Sequence, residues 1–300
     1  MKNRGILLKD RLLLIRPHQW AKSLFVFAPS FFAFRLFDMS VMARSAIAAL
    51  AFSLVSSGVY VFNDILDRET DSLHPFKKDR AIASGKVSIC EGSALSSGFI
   101  AAGLSIVWFL GHSSFWILIL YLGLNVFYSI NLKNIPVVDV VCIAIGFLLR
   151  VVIGGTATGI PLSPWILAMT FLLAMFLAMA KRRDDLLTAL SWNRAGRKSL
   201  NGYNLLFMNT AIVLCAGILL ATYLMYSLDA DVIAKMGSRH LFYTFLFVLM
   251  GVLRYLQLIF VKNDSGEPTR HFFRDPVLRF VMLGWAGLFM SLLYGAELFY

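Results

Sequence analysis

The sequence predicts an all-α integral membrane protein with nine transmembrane helices, and three observations support this prediction. Of the 300 residues, 59% are hydrophobic and 15% are charged, with a mean hydropathy of +0.73. A soluble domain carries about 45–50% apolar and about 25% charged residues, so the apolar excess is expected to face lipid. The apolar residues also fall into nine runs, and the positive charges concentrate in alternate connections between those runs.

The nine apolar runs approach the length of about 20 residues that a helix needs to cross a bilayer. The connections between them are mostly short, which favours antiparallel neighbours in one transmembrane domain over residues 1–300. The first run is short and follows Pro17, so we expect it to be tilted or partly interfacial. The runs lie near 23–37, 41–62, 91–110, 115–130, 136–155, 163–180, 205–227, 241–261 and 277–299.

The distribution of Lys and Arg predicts the orientation of the chain. With nine spans and an internal N-terminus, 22 of the 28 Lys and Arg residues fall in internal segments, four in external segments and two within spans. This bias predicts an inner or plasma membrane protein with its N-terminus in the cytoplasm and its C-terminus outside. The formal net charge of +11 is then explained by positive internal loops, so no nucleic-acid partner is expected.

The second apolar run leads into an acidic segment that is a candidate metal site. If this segment is helical, Asp64, Asp67 and Asp71 are spaced i, i+3, i+7 on one face, with Asn63 beside them. Three carboxylates at a membrane boundary repel one another, so a cation is expected between them. Hard oxygen ligands suit Mg²⁺, which binds few protein carboxylates and completes its shell with substrate phosphates. The spacing therefore predicts a magnesium–diphosphate site.

Cationic side chains follow the acidic segment. Lys77 and Arg80 would supply the positive charge that a diphosphate needs beyond its metal ion. In one alternative, these residues and Arg68 neutralise a solvated acidic helix end. In another, they are ordinary positive charges of a cytosolic loop. Carboxylates interact unfavourably with a helix C-terminus, which favours the metal-binding interpretation.

Two further boundaries carry candidate substrate-binding residues. Tyr128 and Lys133 end the fourth run, where they could present a hydroxyl and a cation to one face, although a boundary tyrosine is often an interfacial anchor. Lys181 and Arg182 follow the sixth run, where they could hold phosphate or stop membrane transfer.

Two ionisable residues lie inside the fifth run. Such groups usually face a bundle interior or a polar cavity. Asp139 and Arg150 are eleven residues apart on one helical face, too far apart to pair directly, so each is expected to meet another partner.

These motifs resemble the UbiA-type intramembrane prenyltransferase superfamily. The family's first acidic motif, N-D-x-x-D-x-x-x-D, is matched by Asn63, Asp64, Asp67 and Asp71. The resemblance implies nine helices around a lipid-accessible cavity, with Mg²⁺ and diphosphate at the cytosolic end. It also implies that the three aspartates are catalytic and that all four residues bind the metal. Members that transfer prenyl groups carry a second motif, D-x-x-x-D, after the sixth helix, and this chain instead has Lys-Arg-Arg-Asp-Asp at 181–185.

Several other stretches resemble the decaprenyl-phosphate phosphoribosyltransferase branch of that superfamily. The resemblance implies a soluble donor, phosphoribosyl pyrophosphate, and a polyprenyl phosphate acceptor. Such a donor carries an additional 5-phosphate and needs more cations, which Lys22, Lys133, Lys181 and Arg182 could supply in place of the missing carboxylates. Lys77, Arg80 and Tyr128 complete the implied phosphate pocket. The similar stretches are 16–23, 71–85, 128–133, 146–165, 180–185, 196–200 and 266–279.

The sequence is also compatible with two other functions. An aromatic prenyltransferase that uses a polyprenyl diphosphate would share the fold, but the absence of the second acidic motif counts against it. A transporter for phosphorylated lipids would use the acidic segment as an ion site. Transporters favour binding sites between broken helices at mid-membrane, whereas the charges here cluster at predicted cytosolic ends. The sequence leaves the oligomeric state and the lipid chain length open.

Overall fold

The computed structural model describes residues 14–73, 77–191, 198–262 and 274–298, and within these ranges the chain forms helices and connecting turns without a strand. Seven helices are long and apolar enough to cross a membrane. This length and composition identify an integral membrane protein. The seven are α1 (Met39–Leu66), α2 (Ile89–Trp108), α3 (His112–Ile130), α4 (Val138–Thr158), α5 (Pro164–Ser191), α6 (Leu205–Leu228) and α7 (Arg239–Phe260), of which α7 begins as a 3-10 helix.

The first and last predicted spans differ from these seven. The run predicted over 23–37 is not one helix, because it divides into a 3-10 helix Pro17–Phe27 and a short α-helix Ala28–Phe32. Pro29 lies in the first turn of the second segment, where its ring and its missing N–H prevent a continuous helix. The last run forms α8 (Pro276–Leu298), whose side chains are described as far as residue 292. The prediction of nine spans is therefore not confirmed.

The described residues divide into two compact units. The first comprises residues up to 133 together with 145–162, and the second comprises 134–144 and the residues from 163 onwards. Helix α4 contributes its first turns to the second unit and the rest to the first. The single domain over 1–300 stays a prediction.

In the first unit, glycines allow α1 and α2 to pack closely. A Cβ atom at Gly103 of α2 would lie 2.6 Å from the carbonyl oxygen of Ala51, and one at Gly58 of α1 would lie 2.7 Å from that of Ser96. Small residues at such positions let membrane helices approach backbone to backbone. This contact fixes the helix whose C-terminal end carries the acidic segment.

Substituting Gly103 by alanine is expected to destabilise the first unit by about 1–3 kcal/mol, because the added methyl group forces backbone atoms of α1 and α2 apart. The matched control is Gly98→Ala on the same helix, where an added Cβ meets no atom within 4 Å. We expect this control to be neutral or slightly stabilising. Thermal unfolding of both variants in detergent is the measurement. Equal melting temperatures for the two would contradict the close packing.

The second unit has its own apolar core between α5, α6 and α7. Its largest buried side chains include Phe176, Met208, Ile212 and Tyr255. Asp275 immediately precedes α8, and its carboxylate accepts the backbone N–H groups of Val277 and Leu278 and two bonds from the Arg254 guanidinium. The arginine is the largest of the effects that lower the pKa of Asp275 to about 2, so this cap is charged at neutral pH.

Candidate active site

The acidic segment continues the helical path of α1. The N–H of Asp67 donates to the carbonyl of Asn63 at 2.9 Å, and the N–H of Asp71 donates to that of Asp67 at 2.8 Å, within a short helix Arg68–Ser72. Asp64 and Asp71 are 3% and 4% exposed, whereas Asp67 is partly exposed. Burying two carboxylates is costly unless positive groups accompany them.

Two arginines supply this positive charge. Nη1 of Arg80 contacts Oδ1 of Asp64 at 3.0 Å and Oδ2 of Asp71 at 2.6 Å. Nη2 of Arg16 contacts the same Oδ1 of Asp64 at 2.6 Å. Because a single nitrogen of Arg80 bridges Asp64 and Asp71, their carboxylates converge on one small cationic position.

A second ion pair lies beside the first. Nζ of Lys133 contacts Oδ1 of Asp67 at 2.5 Å, and the amide of Asn63 donates to Oδ2 of Asp67 at 2.9 Å. The described arrangement therefore joins Asn63, Asp67 and Lys133 in one group and Asp64, Asp71 and the two arginines in another. It brings together six of the predicted site residues. Two of these, Arg80 and Lys133, form ion pairs with carboxylates.

Arg16 was not among the predicted site residues. It opens the stretch 16–23, but its charge was attributed to membrane topology. In the structure its guanidinium also lies over the Tyr60 ring, 5.2 Å from the centroid, and its backbone is left-handed with φ of 51°. The sequence signal was a lone arginine before Pro17, and only the fold reveals its contact with a carboxylate 48 positions away.

Two carboxylates, those of Asp64 and Asp71, suit a magnesium–diphosphate site. The sequence predicted a larger set of metal ligands, with Asn63 and Asp67 in addition. Among the described residues, no three His, Cys, Asp or Glu side chains lie close enough to hold a metal by themselves. Asp64 and Asp71 nevertheless lie close enough to share one Arg80 nitrogen, and Mg²⁺ commonly takes one or two carboxylates and completes its shell with phosphate oxygens. Two carboxylates surrounded by cations suit a metal that arrives with a diphosphate.

The other predicted ligands of the first unit are half-buried. Lys22 lies on the 3-10 helix Pro17–Phe27, Lys77 lies in the turn before Arg80, and Tyr128 lies in the last turn of α3. Their phosphate-binding roles stay predictions. Residues 74–76 of the similar stretch 71–85 lie outside the described residues, as do 196–197 and 266–273 of two other similar stretches.

In the second unit, α5 continues through the basic segment and on to Ser191. Lys181 is exposed, but Arg182 is buried, and its Nε and Nη1 contact Asp139 and Asp185, each at 2.6 Å. Its predicted role as a phosphate ligand is untested, and in this arrangement its guanidinium neutralises carboxylates. Arg182 is therefore the partner, other than Arg150, that the position of Asp139 within a span predicted.

Asp139 also accepts bonds from residues that the sequence did not single out. The Tyr203 hydroxyl donates to its Oδ1 at 2.7 Å, and the Ser199 hydroxyl contacts its Oδ2 at 3.3 Å. The same tyrosine oxygen accepts the N–H of Val137. Burial, followed by the hydrogen bond to Asp139, raises the pKa of Tyr203 well above its usual value, so this hydroxyl remains a donor at neutral pH.

Arg150 has a different environment in the first unit. It donates to the carbonyl of Gly146 at 2.8 Å and to the Tyr121 hydroxyl at 3.3 Å. Its guanidinium carbon lies 4.6 Å from the ring centroid of Phe52, and the rings of Tyr121 and Phe147 are also close. Aromatic faces therefore stabilise this buried cation within the helices, which confirms the prediction of a partner other than Asp139.

The sequence was then compared with known protein families. The family model described as the UbiA prenyltransferase family matches residues 23–294. The chain belongs to the UbiA prenyltransferase family. The match includes the acidic segment and most of both compact units, so this UbiA chain carries the motif of Asn63 to Asp71 within the matched region.

Three relatives are similar in sequence to this chain. The chain is 29% identical to decaprenyl-phosphate phosphoribosyltransferase of Mycolicibacterium smegmatis over 290 residues, which cover 93% of this chain and 91% of that protein. It is 31% identical to the enzyme of the same name from Mycobacterium tuberculosis, over 90% of each chain. It is also 34% identical to protein y4nM of Sinorhizobium fredii over 65% of this chain, which spans 38% of that protein's length.

Solved structures share the fold of this UbiA chain. A UbiA homologue from Archaeoglobus fulgidus bound to DMAPP and Mg²⁺ superposes with a TM-score of 0.70 at 18% identity, covering 95% of this chain and 98% of that one. A structure described in a study of digeranylgeranylglyceryl phosphate synthase superposes with a TM-score of 0.65 at 15% identity over 99% of each chain.

Proposed function

We propose that this protein transfers the 5-phosphoribosyl group from phosphoribosyl pyrophosphate to a polyprenyl phosphate, such as decaprenyl phosphate, and releases pyrophosphate. The names of the relatives that align over nine tenths of both chains support this reaction. Membership of the UbiA prenyltransferase family supports a transferase that works in the membrane.

The observation that carries the proposal is that three cationic side chains contact the acidic cluster, which consists of Asp64, Asp67 and Asp71. Asp64, Asp67 and Asp71 are matched by Arg16, Arg80 and Lys133 at distances of 2.5–3.0 Å. A donor with an apolar prenyl tail would need positive charge for its diphosphate alone. A ribosyl donor carries a further phosphate, and an acceptor that is itself a phosphate adds still more negative charge. A cluster rich in arginine and lysine suits this load.

The reaction breaks the bond between ribose C1 and a pyrophosphate oxygen and forms a bond between C1 and an oxygen of the lipid phosphate. The acceptor oxygen is already anionic, so no strong general base is required. Arg80, Lys133 and Lys77 would bind phosphate oxygens and stabilise the charge that develops on the leaving group. One carboxylate, Asp67 or Asp71, would stabilise the positive charge that develops at C1.

Asp64 and Asp71 would hold the metal, with Asp67 and Asn63 beside them. When bound, Mg²⁺ would neutralise charge on the leaving pyrophosphate. The use of Mg²⁺ is proposed for this chain by analogy with the homologue structure that contains it. Lys22, Tyr128, Lys181 and Arg182 are proposed as further substrate-binding residues. The excess of Lys and Arg in the predicted internal segments supports an active site facing the cytoplasm, with the C-terminus outside.

The donor specificity of the purified protein tests the proposal. We expect label from phosphoribosyl pyrophosphate to enter the lipid phase when polyprenyl phosphate and Mg²⁺ are present, and we expect EDTA to abolish the transfer. A parallel reaction offers an aromatic acid with a polyprenyl diphosphate.

The two reactions separate the proposal from its alternatives. Prenylation of the aromatic acid without ribosyl transfer would overturn the donor assignment and leave the fold intact. Inactivity in both reactions, with binding of polyprenyl phosphate retained, would favour the phosphorylated-lipid transporter. The identity of the consumed donor therefore distinguishes the three cases.

A further inference from the structure

We infer that Arg16 is an exchangeable counterion of Asp64, which occupies the carboxylate when metal is absent and turns to phosphate when metal and diphosphate bind together. The inference rests on the proposed function, because it concerns how this site takes up a divalent cation and a diphosphate. It predicts that the two bind cooperatively and that each binds weakly alone.

The first step of the argument is the occupancy of one oxygen atom. Oδ1 of Asp64 accepts from Nη2 of Arg16 at 2.6 Å and from Nη1 of Arg80 at 3.0 Å. A carboxylate oxygen offers two lone pairs, and these two contacts use both of them. A metal ion that binds this oxygen must therefore displace one of the two arginines.

The second step is the charge of the cluster. Three carboxylates and three cations leave no net charge in a place where Asp64 and Asp71 are buried. A divalent cation alone would add two positive charges to this neutral group, and a diphosphate alone would add several negative ones. Either change is costly in a poorly solvated site. When the two enter together, their charges largely cancel.

The third step identifies Arg16 as the arginine that moves. Arg80 bridges Asp64 and Asp71, whereas Arg16 contacts a single carboxylate among the described residues. The left-handed backbone of Arg16, with φ of 51°, is strained for a residue with a side chain, and such strain occurs at ligand clamps and switch regions.

The fourth step is that the backbone around Arg16 is anchored by bonds that do not involve the Arg16 side chain. The buried Ser57 hydroxyl of α1 donates to the carbonyl of Ile15 at 2.8 Å and accepts from Nε1 of Trp20 at 3.0 Å. These two bonds fix the segment on either side of Arg16 against α1. The guanidinium, on its long side chain, can then exchange partners without displacement of the helix.

The test uses equilibrium titrations of the purified full chain by calorimetry. Mn²⁺ replaces Mg²⁺, and pyrophosphate replaces the donor's diphosphate. Three ligands are titrated: Mn²⁺ alone, pyrophosphate with EDTA, and preformed manganese pyrophosphate. For the native protein we expect the preformed complex to bind at least about tenfold more tightly than either component alone, within the usual range of coupling between ligands.

The variant Arg16→Gln separates the inference from a purely structural role. Without the competing guanidinium, we expect Mn²⁺ alone to bind about tenfold more tightly than in the native protein, and manganese pyrophosphate to bind more weakly by a similar factor. Arg16→Lys keeps the charge and should restore part of the native pattern. Arg35→Gln, which removes an exposed partner of Asp38 at the opposite end of α1, is the control and should change neither affinity.

The outcomes are distinguishable. If Arg16→Gln leaves both affinities as in the native protein, or weakens Mn²⁺ binding, the exchange is overturned and the proposed function stands. If the native protein binds Mn²⁺ alone as tightly as the complex, the exchange is overturned without reference to any variant. If the native protein binds neither Mn²⁺ nor the complex, both the exchange and the proposed metal–diphosphate site are overturned.

Discussion

Replacing Asp64 by asparagine is expected to reduce the transfer of the phosphoribosyl group by about 10²- to 10³-fold, the loss typical of removing one preorganised electrostatic group from an active site. Asp64 is the carboxylate on which Arg16 and Arg80 converge, and it shares Arg80 with Asp71. Asparagine keeps the shape of the side chain but removes the negative charge that would hold the metal. Initial rates with labelled donor at saturating Mg²⁺ give the measurement.

The matched control for this prediction is Asp38→Asn at the other end of α1. Asp38 caps the helix by accepting the backbone N–H groups of Ser40 and Val41, and asparagine caps helices about as well as aspartate. This control should therefore retain activity close to that of the native protein. If Asp64→Asn stayed within tenfold of the native rate while remaining folded in detergent, the assignment of the acidic cluster as the catalytic centre would be wrong.

Much of the fold could be predicted because long apolar runs leave few structural choices in a membrane. Over the residues whose side chains are described, seven of the nine runs contain helices that are long and apolar enough to cross a membrane. The errors came from local chemistry. Pro29 divides the first run into two short segments. The sixth run was predicted to end at residue 180, yet α5 continues to Ser191 because Arg182 and Arg183 are buried against polar partners. Charge alone did not reveal that those partners exist.

The acidic part of the site was predictable because its spacing is local. Asp64, Asp67 and Asp71 lie within eight residues, so a helix places them near one another without knowledge of the fold, although Asp67 pairs with Lys133 apart from the other two. Arg80 is near enough in sequence to have been proposed as well. Arg16 is 48 positions from Asp64, and only its place at the start of the similar stretch 16–23 distinguishes it from the other basic residues of the N-terminus.

The buried network of Asp139 shows the same limit in the second unit. The position of Asp139 within a span predicted that it would need a partner. The identity of the partner depends on pairings across 43 positions to Arg182 and 64 positions to Tyr203. These contacts also change the interpretation of the basic segment, since a residue proposed as a phosphate ligand has carboxylates on its guanidinium.

Replacing Asp139 by alanine is expected to destabilise the second unit by about 3–5 kcal/mol, the cost of removing one partner from a buried ion pair. The substitution leaves the buried guanidinium of Arg182 without its most buried counterion, and it removes the acceptor of the Tyr203 hydroxyl. Because that hydroxyl also accepts the N–H of Val137, the connection before α4 should loosen together with the segment before α6. Thermal unfolding in detergent and proteolysis near residue 203 are the measurements.

The control for Asp139 is the other carboxylate on the same arginine. Asp185 contacts Nη1 of Arg182 at 2.6 Å, as close as Asp139 is to Nε, but its side chain is 36% exposed whereas that of Asp139 is fully buried. An ion pair that water can reach contributes at most about 1 kcal/mol, so Asp185→Ala should lower the melting temperature only slightly. The two variants remove the same chemical group from the same guanidinium and differ in burial. A similar loss of stability in both would mean that burial of Asp139 does not determine its contribution.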